Sequence, residues 1–239
     1  MTAVAKFLAK DLEIWLNRRV EAITITENAW HLMLNSDETE QELTAKAVVM
    51  AITAPQALML VEPLKETITQ TFLDSLGSVE FDPCITVIAG YQNEKLSLPS
   101  WQACDLTDHS DLAWIGLDSS KRPNATAPIF VLQSTPSFAN LYLETEDLKP
   151  VGQQLLSSAA LLFAGLDHPD WFQVHRWRYA FPKHYLNQDY LYSATPLPLI
   201  CCGDWSGGNL IDGALNSGVV AASQINREMQ QKTLPGAGF

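Results

Sequence analysis

A glycine-rich segment near the C-terminus has the residue types and spacing best suited to bind a ligand. Residues 199–223, LICCGDWSGGNLIDGALNSGVVAAS, contain five of the twelve glycines. The pattern predicts a short buried strand, a glycine turn and a helix that starts near residues 211–214. The unpaired N–H groups of a helix start bind anionic or electron-rich atoms. Four glycines would let a ligand approach the backbone, namely Gly203, Gly207, Gly208 and Gly213.

Two alternatives to a ligand site apply to this segment. A plain strand–turn–helix connection has the same pattern, with Gly218 letting the helix pack closely on a sheet. The letters GDWSGG also resemble the Gly-Asp-Ser-Gly-Gly segment of trypsin-like proteases, but Trp205 is inserted before Ser206. A nucleophile elbow fails as well, because Asp204 lies where its first glycine should be. The segment therefore predicts a ligand site or a packing solution, and not a serine hydrolase.

The N-terminal elements that would support such a site follow from periodicity. Apolar residues within 3–16 recur at helical spacing and predict an amphipathic helix. Residues 19–35 alternate in two runs around Glu27 and Asn28, which predicts a β-hairpin. A polar stretch, SDETEQEL, then leads into the apolar run AKAVVMAITAP, which ends at Pro55 and predicts a strand buried on both faces.

The middle of the chain has a different character. A helix is predicted for EPLKETITQTFLDSL, ending near Gly77, and another for DLKPVGQQLLSSAALLFAG. Strands are predicted for CITVIAGYQ, LAWIGLD, PIFVLQST and the aromatic-rich WFQVHRWRYAFP. Because helices and strands alternate irregularly, the pattern favours an α+β lobe with a mainly antiparallel sheet.

Several motifs together resemble one known family. Gly203-Asp204 is followed by Ile211-Asp212-Gly213-Ala214 and then Ser217-Gly218, as in the C-terminal segment of the flavin-containing amine oxidase superfamily. The letters HRWRYAFP, residues 175–182, are similar to the signature of its renalase-like branch, and so is LAWIGLDSSKRPN. The earlier segments RRVEAITITENAWHLML and AKAVVMAITAPQALML match in order. The resemblance covers nearly the whole chain.

The resemblance implies FAD as cofactor and assigns residues to it. Asp204, next to Gly203, would meet the ribityl–phosphate part, and the main chain at Val20 would meet the adenine. The helix start would face the pyrimidine end of the flavin through Leu210, Ile211, Gly213 and Ala214. His175 and Trp205 are the candidate catalytic residues, and Ala54-Pro55 would end a strand near the cofactor.

The implied architecture is an α/β (α+β) protein of two lobes. Residues 1–62 and 192–239 would form a partial, Rossmann-like FAD-binding lobe, and residues 63–191 a substrate-binding lobe. The implied reaction moves a hydride from an amine or a dihydronicotinamide-type substrate to the flavin. The alternative is a non-catalytic remnant or fragment that binds a partner chain or small ligand without FAD.

One departure from the family pattern affects this expectation. The family begins with a Gly-x-Gly-x-x-Gly turn that holds the ADP part of FAD, whereas the first glycine in this sequence is Gly77. We expect either a truncated product or mis-assigned start, or a naturally shortened relative with weaker FAD binding. Truncation would leave apolar sheet edges bare, which predicts self-association, and we expect this chain alone to lack activity.

Composition excludes other partners. The net charge is −12, with a pI near 4.7, which argues against binding to nucleic acid or to an anionic membrane. No secretory signal or membrane-spanning run is apparent, and the four cysteines form neither a disulfide framework nor a Cys-x-x-Cys pair. These features, with no spacing typical of metal ligands, predict a cytoplasmic protein that acts on a small molecule without a metal.

Overall fold

The computed structural model describes residues 2–35, 40–92, 96, 98–208 and 210–233. The α-helices in this part of the chain are α1 Thr2–Leu8, α2 Ala54–Val61, α3 Gln70–Gly77, α4 Pro136–Leu141, α5 Lys149–Leu162 and α6 Leu210–Thr233. The strands are β1 Arg19–Ile25, β2 Trp30–Asn35, β3 Glu40–Ala45, β4 Val48–Met50, β5 Phe81–Gly90, β6 Ala103–Asp105, β7 Leu112–Leu117, β8 Ile129–Ser134, β9 Trp171–Pro182, β10 Leu191–Ser193 and β11 Leu199–Cys201.

The chain divides into two compact units. The first contains Met1–Val79 and Tyr185–Phe239, and the second contains Glu80–His184. These boundaries differ from those predicted, because residues 63–79 and 185–191 belong to the first unit. The reason is that helix α3 contacts helix α2 and strand β10, which ties this segment to the first unit. The assignment of the units to cofactor and substrate remains a prediction.

The N-terminal helix is shorter than predicted. Helix α1 ends at Leu8, and the following residues form turns, with left-handed backbone at Asp11 (φ 67°) and Asn17 (φ 55°). The apolar residues that suggested a helix over 3–16 are exposed, including Phe7 at 77%. An amphipathic pattern stabilises a helix mainly when its apolar face packs on another element. Because this apolar face is exposed, the pattern does not extend the helix beyond Leu8.

A three-stranded antiparallel sheet follows, in the order β1-β2-β3. The hairpin predicted around Glu27 and Asn28 is confirmed, since Ile25 pairs with Trp30. Strand β3 was not predicted, because it is formed by part of the polar stretch and its described residues are mostly exposed. Trp30 anchors the sheet: it is fully buried and its Nε1 donates to the Pro198 carbonyl at 3.2 Å.

A second sheet of the first unit has the order β10-β11-β4, with β11 parallel to β4 and antiparallel to β10. The apolar run that predicted a strand buried on both faces forms the short edge strand β4. Val48 and Met50 are buried, but Val49 is 45% exposed, so only one face is covered. Ala54 and Pro55 do not end this strand, because they begin helix α2.

The second unit is built on an antiparallel five-stranded sheet, in the order β6-β7-β8-β5-β9. Helix α5 covers one face, and its Gly152 lies against Phe172 and Val174 of β9. On the other face of β9, His175 and Trp177 are exposed. The predicted mixed α/β class with a mainly antiparallel sheet is confirmed. No helix among the described residues has the length and apolar character to cross a membrane.

Candidate functional site

Two parallel strands of the first unit end at the same edge, and a helix starts after each. Met50 at the end of β4 pairs with Cys201 at the end of β11. Helix α2 begins four residues beyond the end of β4, and helix α6 begins after the glycine turn at 203–208. In α/β sheets ligands bind outside the carboxyl ends of the strands, where helix N–H groups converge. This edge is the candidate site.

Glycine is required at two positions, one in the glycine turn and one in helix α6. Gly207 has a left-handed φ of 74°, and the carbonyl of Gly208 lies so close to Gly213 that a Cβ there would come nearer than 3.0 Å. Leu210, the first residue of α6, has a φ of 62°, which is unusual for a bulky residue and costs about 1–2 kcal/mol. Strained backbone of this kind clusters at functional sites.

Trp205 fastens the glycine turn to the segment that follows strand β4. It is fully buried, its ring lies against Gly203, and its Nε1 donates to the Ile52 carbonyl at 3.0 Å. The suggestion that Trp205 contacts a substrate is therefore corrected, because a side chain with no exposed surface cannot reach one. Its role is to hold Gly203 beside the end of strand β4.

Ser217 is a second fastening that the motif analysis did not single out as functional. Its buried hydroxyl accepts a hydrogen bond from the Gly203 amide at 3.0 Å and donates to the Asp189 carbonyl at 2.6 Å. Ser206 adds a third link, because its hydroxyl donates to the Gln188 carbonyl at 2.7 Å. The sequence signals for Ser217 were its place in the family motif and its position in the helix, one turn after Gly213.

Asp204 is the ionisable group of the turn. It is half-buried, and burial raises the pKa of its carboxyl above the ordinary value, an effect partly offset by a hydrogen bond from its own backbone. A half-buried carboxylate can accept hydrogen bonds from ligand hydroxyls, which is the role that the resemblance assigns to it.

A cavity of about 580 Å³ lies next to this edge, within the first unit. Its lining comes from β1, β2, β4, α2 and the residues that flank β1 and β4, namely Arg18, Arg19, Val20, Glu21, Ile23, Leu32, Val48, Val49, Met50, Ala51, Ile52, Gln56, Met59 and Leu60. Val20, predicted to meet the adenine, is among them. Because Ile52 also accepts the Trp205 hydrogen bond, the cavity ends beside the glycine turn.

The helix start itself is more open than the cavity. Leu210 and Ile211 are 63% and 55% exposed, whereas Gly213 and Ala214 are half-buried. None of these residues lines the 580 Å³ cavity. The structure therefore brings the predicted cofactor residues into one unit, with Val20 in the cavity and the others in or beside the glycine turn. Gly218 does not pack closely as suggested, because nothing lies within 4 Å of a Cβ built there.

His175 lies in the second unit, on strand β9. Its ring is exposed and its centroid is 6.3 Å from that of Trp177. The neighbouring arginines of the same motif are structural: Arg176 donates to two backbone carbonyls, and Arg178 forms an ion pair with Glu144 at 2.6 Å. Of this motif, the side chains of His175 and Trp177 are exposed and can meet a ligand. No group of three or more potential ligand side chains that could hold a metal occurs among the described residues.

Known proteins match the chain over most of its length. The family described as flavin containing amine oxidoreductase matches residues 1–226. A protein assigned as a protoporphyrinogen oxidase from Exiguobacterium sp. 255-15 has a similar structure, with 15% identity and a TM-score of 0.67 over 96% of this chain and 51% of that one. Wild-type putrescine oxidase bound to putrescine is also similar, with 15% identity and a TM-score of 0.62 over 95% and 52%.

The structural likeness, at this identity, bears on the fold, and the chain spans about half the length of these two proteins. The family match covers far more than half of the chain and agrees with the strand, glycine turn and helix at the candidate site. The chain belongs to the flavin containing amine oxidoreductase family, whose enzymes bind FAD.

Proposed function

We propose that this chain is an FAD-dependent oxidoreductase of the renalase-like type, which takes a hydride from an amine or a dihydronicotinamide-type substrate. The observation that carries the proposal is the common edge of β4 and β11, where two helix starts, a glycine turn and a cavity meet. All four cysteines are free, which fits the reduced cytoplasmic location that we also propose.

The residues at this edge fit FAD in size and chemistry. Ligand cavities are typically about 300–1,000 Å³, and this one is about 580 Å³ with a mainly apolar lining. Val20 and the other cavity residues would hold the adenosine end, and Asp204 would accept hydrogen bonds from the ribityl hydroxyls. Gly207 and Gly208 leave the backbone of the turn uncovered by side chains, so a flat ring can approach the amides of α6.

The chain's own residues would then act by position and charge. When bound, the flavin supplies a two-electron acceptor whose reduced form carries negative charge. The partial positive charge at the start of α6 stabilises negative charge placed there. The hydrogen bonds of Trp205 and Ser217 hold the turn in place, so its amides do not need to reorganise when a ligand binds.

We assign substrate selection to the second unit. His175 and Trp177 stand exposed on the same face of β9, opposite the face that helix α5 covers. An imidazole and an indole can hydrogen bond to and stack on a planar nitrogen-containing substrate, and the indole face also attracts a cationic amine. Both proposed substrate classes suit this pair, so the partner that we propose is a small molecule.

A second function, binding of a polypeptide partner, is favoured by one observation. Ile211, Leu215 and Val219 form a stripe along α6 in which each side chain is more than half exposed. The edge strand β4 adds Val49, which is 45% exposed. Exposed apolar stripes and edges mark interaction surfaces, and a second copy of the chain is the partner that we propose. In that case the chain would bind no FAD by itself.

Titration of the purified chain with FAD distinguishes the two functions. We expect quenching of flavin fluorescence that saturates at one FAD per chain, and weaker binding in Asp204→Ala than in the wild type. Glu66→Ala removes an exposed carboxylate of the first unit outside the cavity and the helix start, so this control should bind FAD as the wild type does. Sedimentation of a colourless chain that assembles with concentration and never binds FAD would support the second function instead.

A further inference from the structure

Arg18 and Arg19 of the first unit have no acidic partner among the residues that the structure describes. Arg18 and Arg19 both line the 580 Å³ cavity. The one side-chain hydrogen bond described for either runs from Arg18 Nη1 to the Asn17 carbonyl at 3.4 Å. Two other arginines form ion pairs, Arg122 with Asp118 at 2.7 Å and Arg178 with Glu144 at 2.6 Å. In the part of the chain that the structure describes, no ion pair involves either of the two cavity arginines.

The charge around this cavity contrasts with that of the whole protein. The net charge of the chain is −12, yet the residues that line the cavity include two arginines and only one residue with a carboxylate. That carboxylate, Glu21, accepts a hydrogen bond from the Asn35 side-chain amide at 2.9 Å. The guanidinium groups are therefore left to bind an anion from outside, and phosphate oxygens match their paired N–H groups best.

The rest of the lining indicates what is attached to the anion. It is largely apolar, with Ile23, Leu32, Val49, Ile52 and Met59 among its members. Gln56 adds a polar group: its Oε1 accepts from the Thr53 hydroxyl at 2.9 Å, which leaves the Nε2 hydrogens to donate. Apolar walls with one amide donor suit a flat heteroaromatic base with ring nitrogen acceptors.

We propose that Arg18 and Arg19 are phosphate anchors and that this cavity is a binding site for an adenosine phosphate, which in FAD is the ADP half. The inference rests on the proposed function for its cofactor but not for its test, because a mononucleotide can occupy the cavity alone.

Calorimetric titration with AMP and with adenosine tests the proposal on the wild-type chain. We expect AMP to bind about tenfold or more tightly than adenosine, since hydrogen bonds between charged groups are the strong ones. Raising the salt concentration should weaken AMP binding and leave adenosine binding unchanged. This comparison needs no variant, so it does not depend on a mutant that folds.

The double variant Arg18→Ala/Arg19→Ala should lose about tenfold or more in AMP affinity and keep its adenosine affinity. Arg227→Ala is the control, because this arginine donates to the Ser223 carbonyl on α6, outside the cavity, and should not change AMP binding. Equal affinities for AMP and adenosine, no AMP binding, or unchanged AMP affinity in the double variant would overturn the proposal. Arginine-dependent AMP binding without any FAD binding would instead refute the proposed flavoenzyme and leave this site standing.

Discussion

Adding one methyl group at two glycines of helix α6 should have opposite effects. At Gly213 a Cβ would lie 3.2 Å from the Gly208 Cα and nearer than 3.0 Å to its carbonyl group, which is backbone and cannot rotate away. At Gly218 nothing lies within 4 Å of a Cβ. Gly213→Ala must displace the glycine turn, whereas Gly218→Ala only replaces glycine by the best helix-forming residue.

The magnitudes follow from these two environments. Overpacking against a fixed group costs about 1–3 kcal/mol, so Gly213→Ala should lower the free energy of unfolding by that amount. Gly218→Ala should raise it by about 0.5–1 kcal/mol, because alanine loses less backbone entropy on folding. The two variants should therefore differ by about 1.5–4 kcal/mol although the chemical change is the same.

Urea unfolding of both variants and the wild type measures this difference, and FAD titration of the same samples measures its effect on the site. We expect Gly213→Ala to unfold at lower urea and bind FAD more weakly, and Gly218→Ala to unfold at higher urea with unchanged FAD affinity. Equal stability of the two variants would refute the close contact between the turn and the helix.

Three further substitutions test the fastenings of the turn, each by urea unfolding. Trp205→Ala should cost about 3–5 kcal/mol, whereas Trp177→Ala, on a half-exposed ring, should cost less than about 0.5 kcal/mol. Ser217→Ala should cost about 1–3 kcal/mol because it leaves the part-buried Gly203 amide without its acceptor, and Ser223→Ala, at an exposed position, should be close to neutral. Because the pKa of Asp204 is raised in the folded state, this carboxyl stays protonated to a higher pH when the chain is folded than when it is unfolded. The free energy of unfolding of the wild type should therefore fall, relative to that of Asp204→Asn, as pH rises from 3.8 towards the folded pKa. Parallel pH profiles of the two proteins would contradict that assignment.

Local patterns predicted the elements whose residues alternate or repeat clearly. The hairpin around Glu27 and Asn28, the long strand β9 and the start of α6 were all recognisable, because their periodicity reflects one buried face. Helix 3–16 failed for the same reason: the apolar face is present in the sequence, but nothing packs on it. Strand β3 was missed since a mostly exposed strand has no apolar alternation.

The parts of the site that depend on distant contacts could not be predicted. The place of Trp205 in the motif suggested a ligand contact, yet its ring is buried. Its Nε1 donates to the carbonyl of Ile52, which lies 153 positions earlier in the sequence. Ser217 was recognised as part of a family motif, but its bonds to Gly203 and Asp189 exist only after folding. The cavity was not predicted either, because four separate elements form its walls.

Hydrogen exchange of the backbone amides tests the central claim most directly, because it reports on the helix start itself. With FAD added, the amides of the glycine turn and of residues 210–214 should exchange more slowly than in the free chain, while those of α5 in the second unit should not change. Saturating FAD that leaves exchange at 203–214 unaltered would show that the turn and helix start do not hold the flavin.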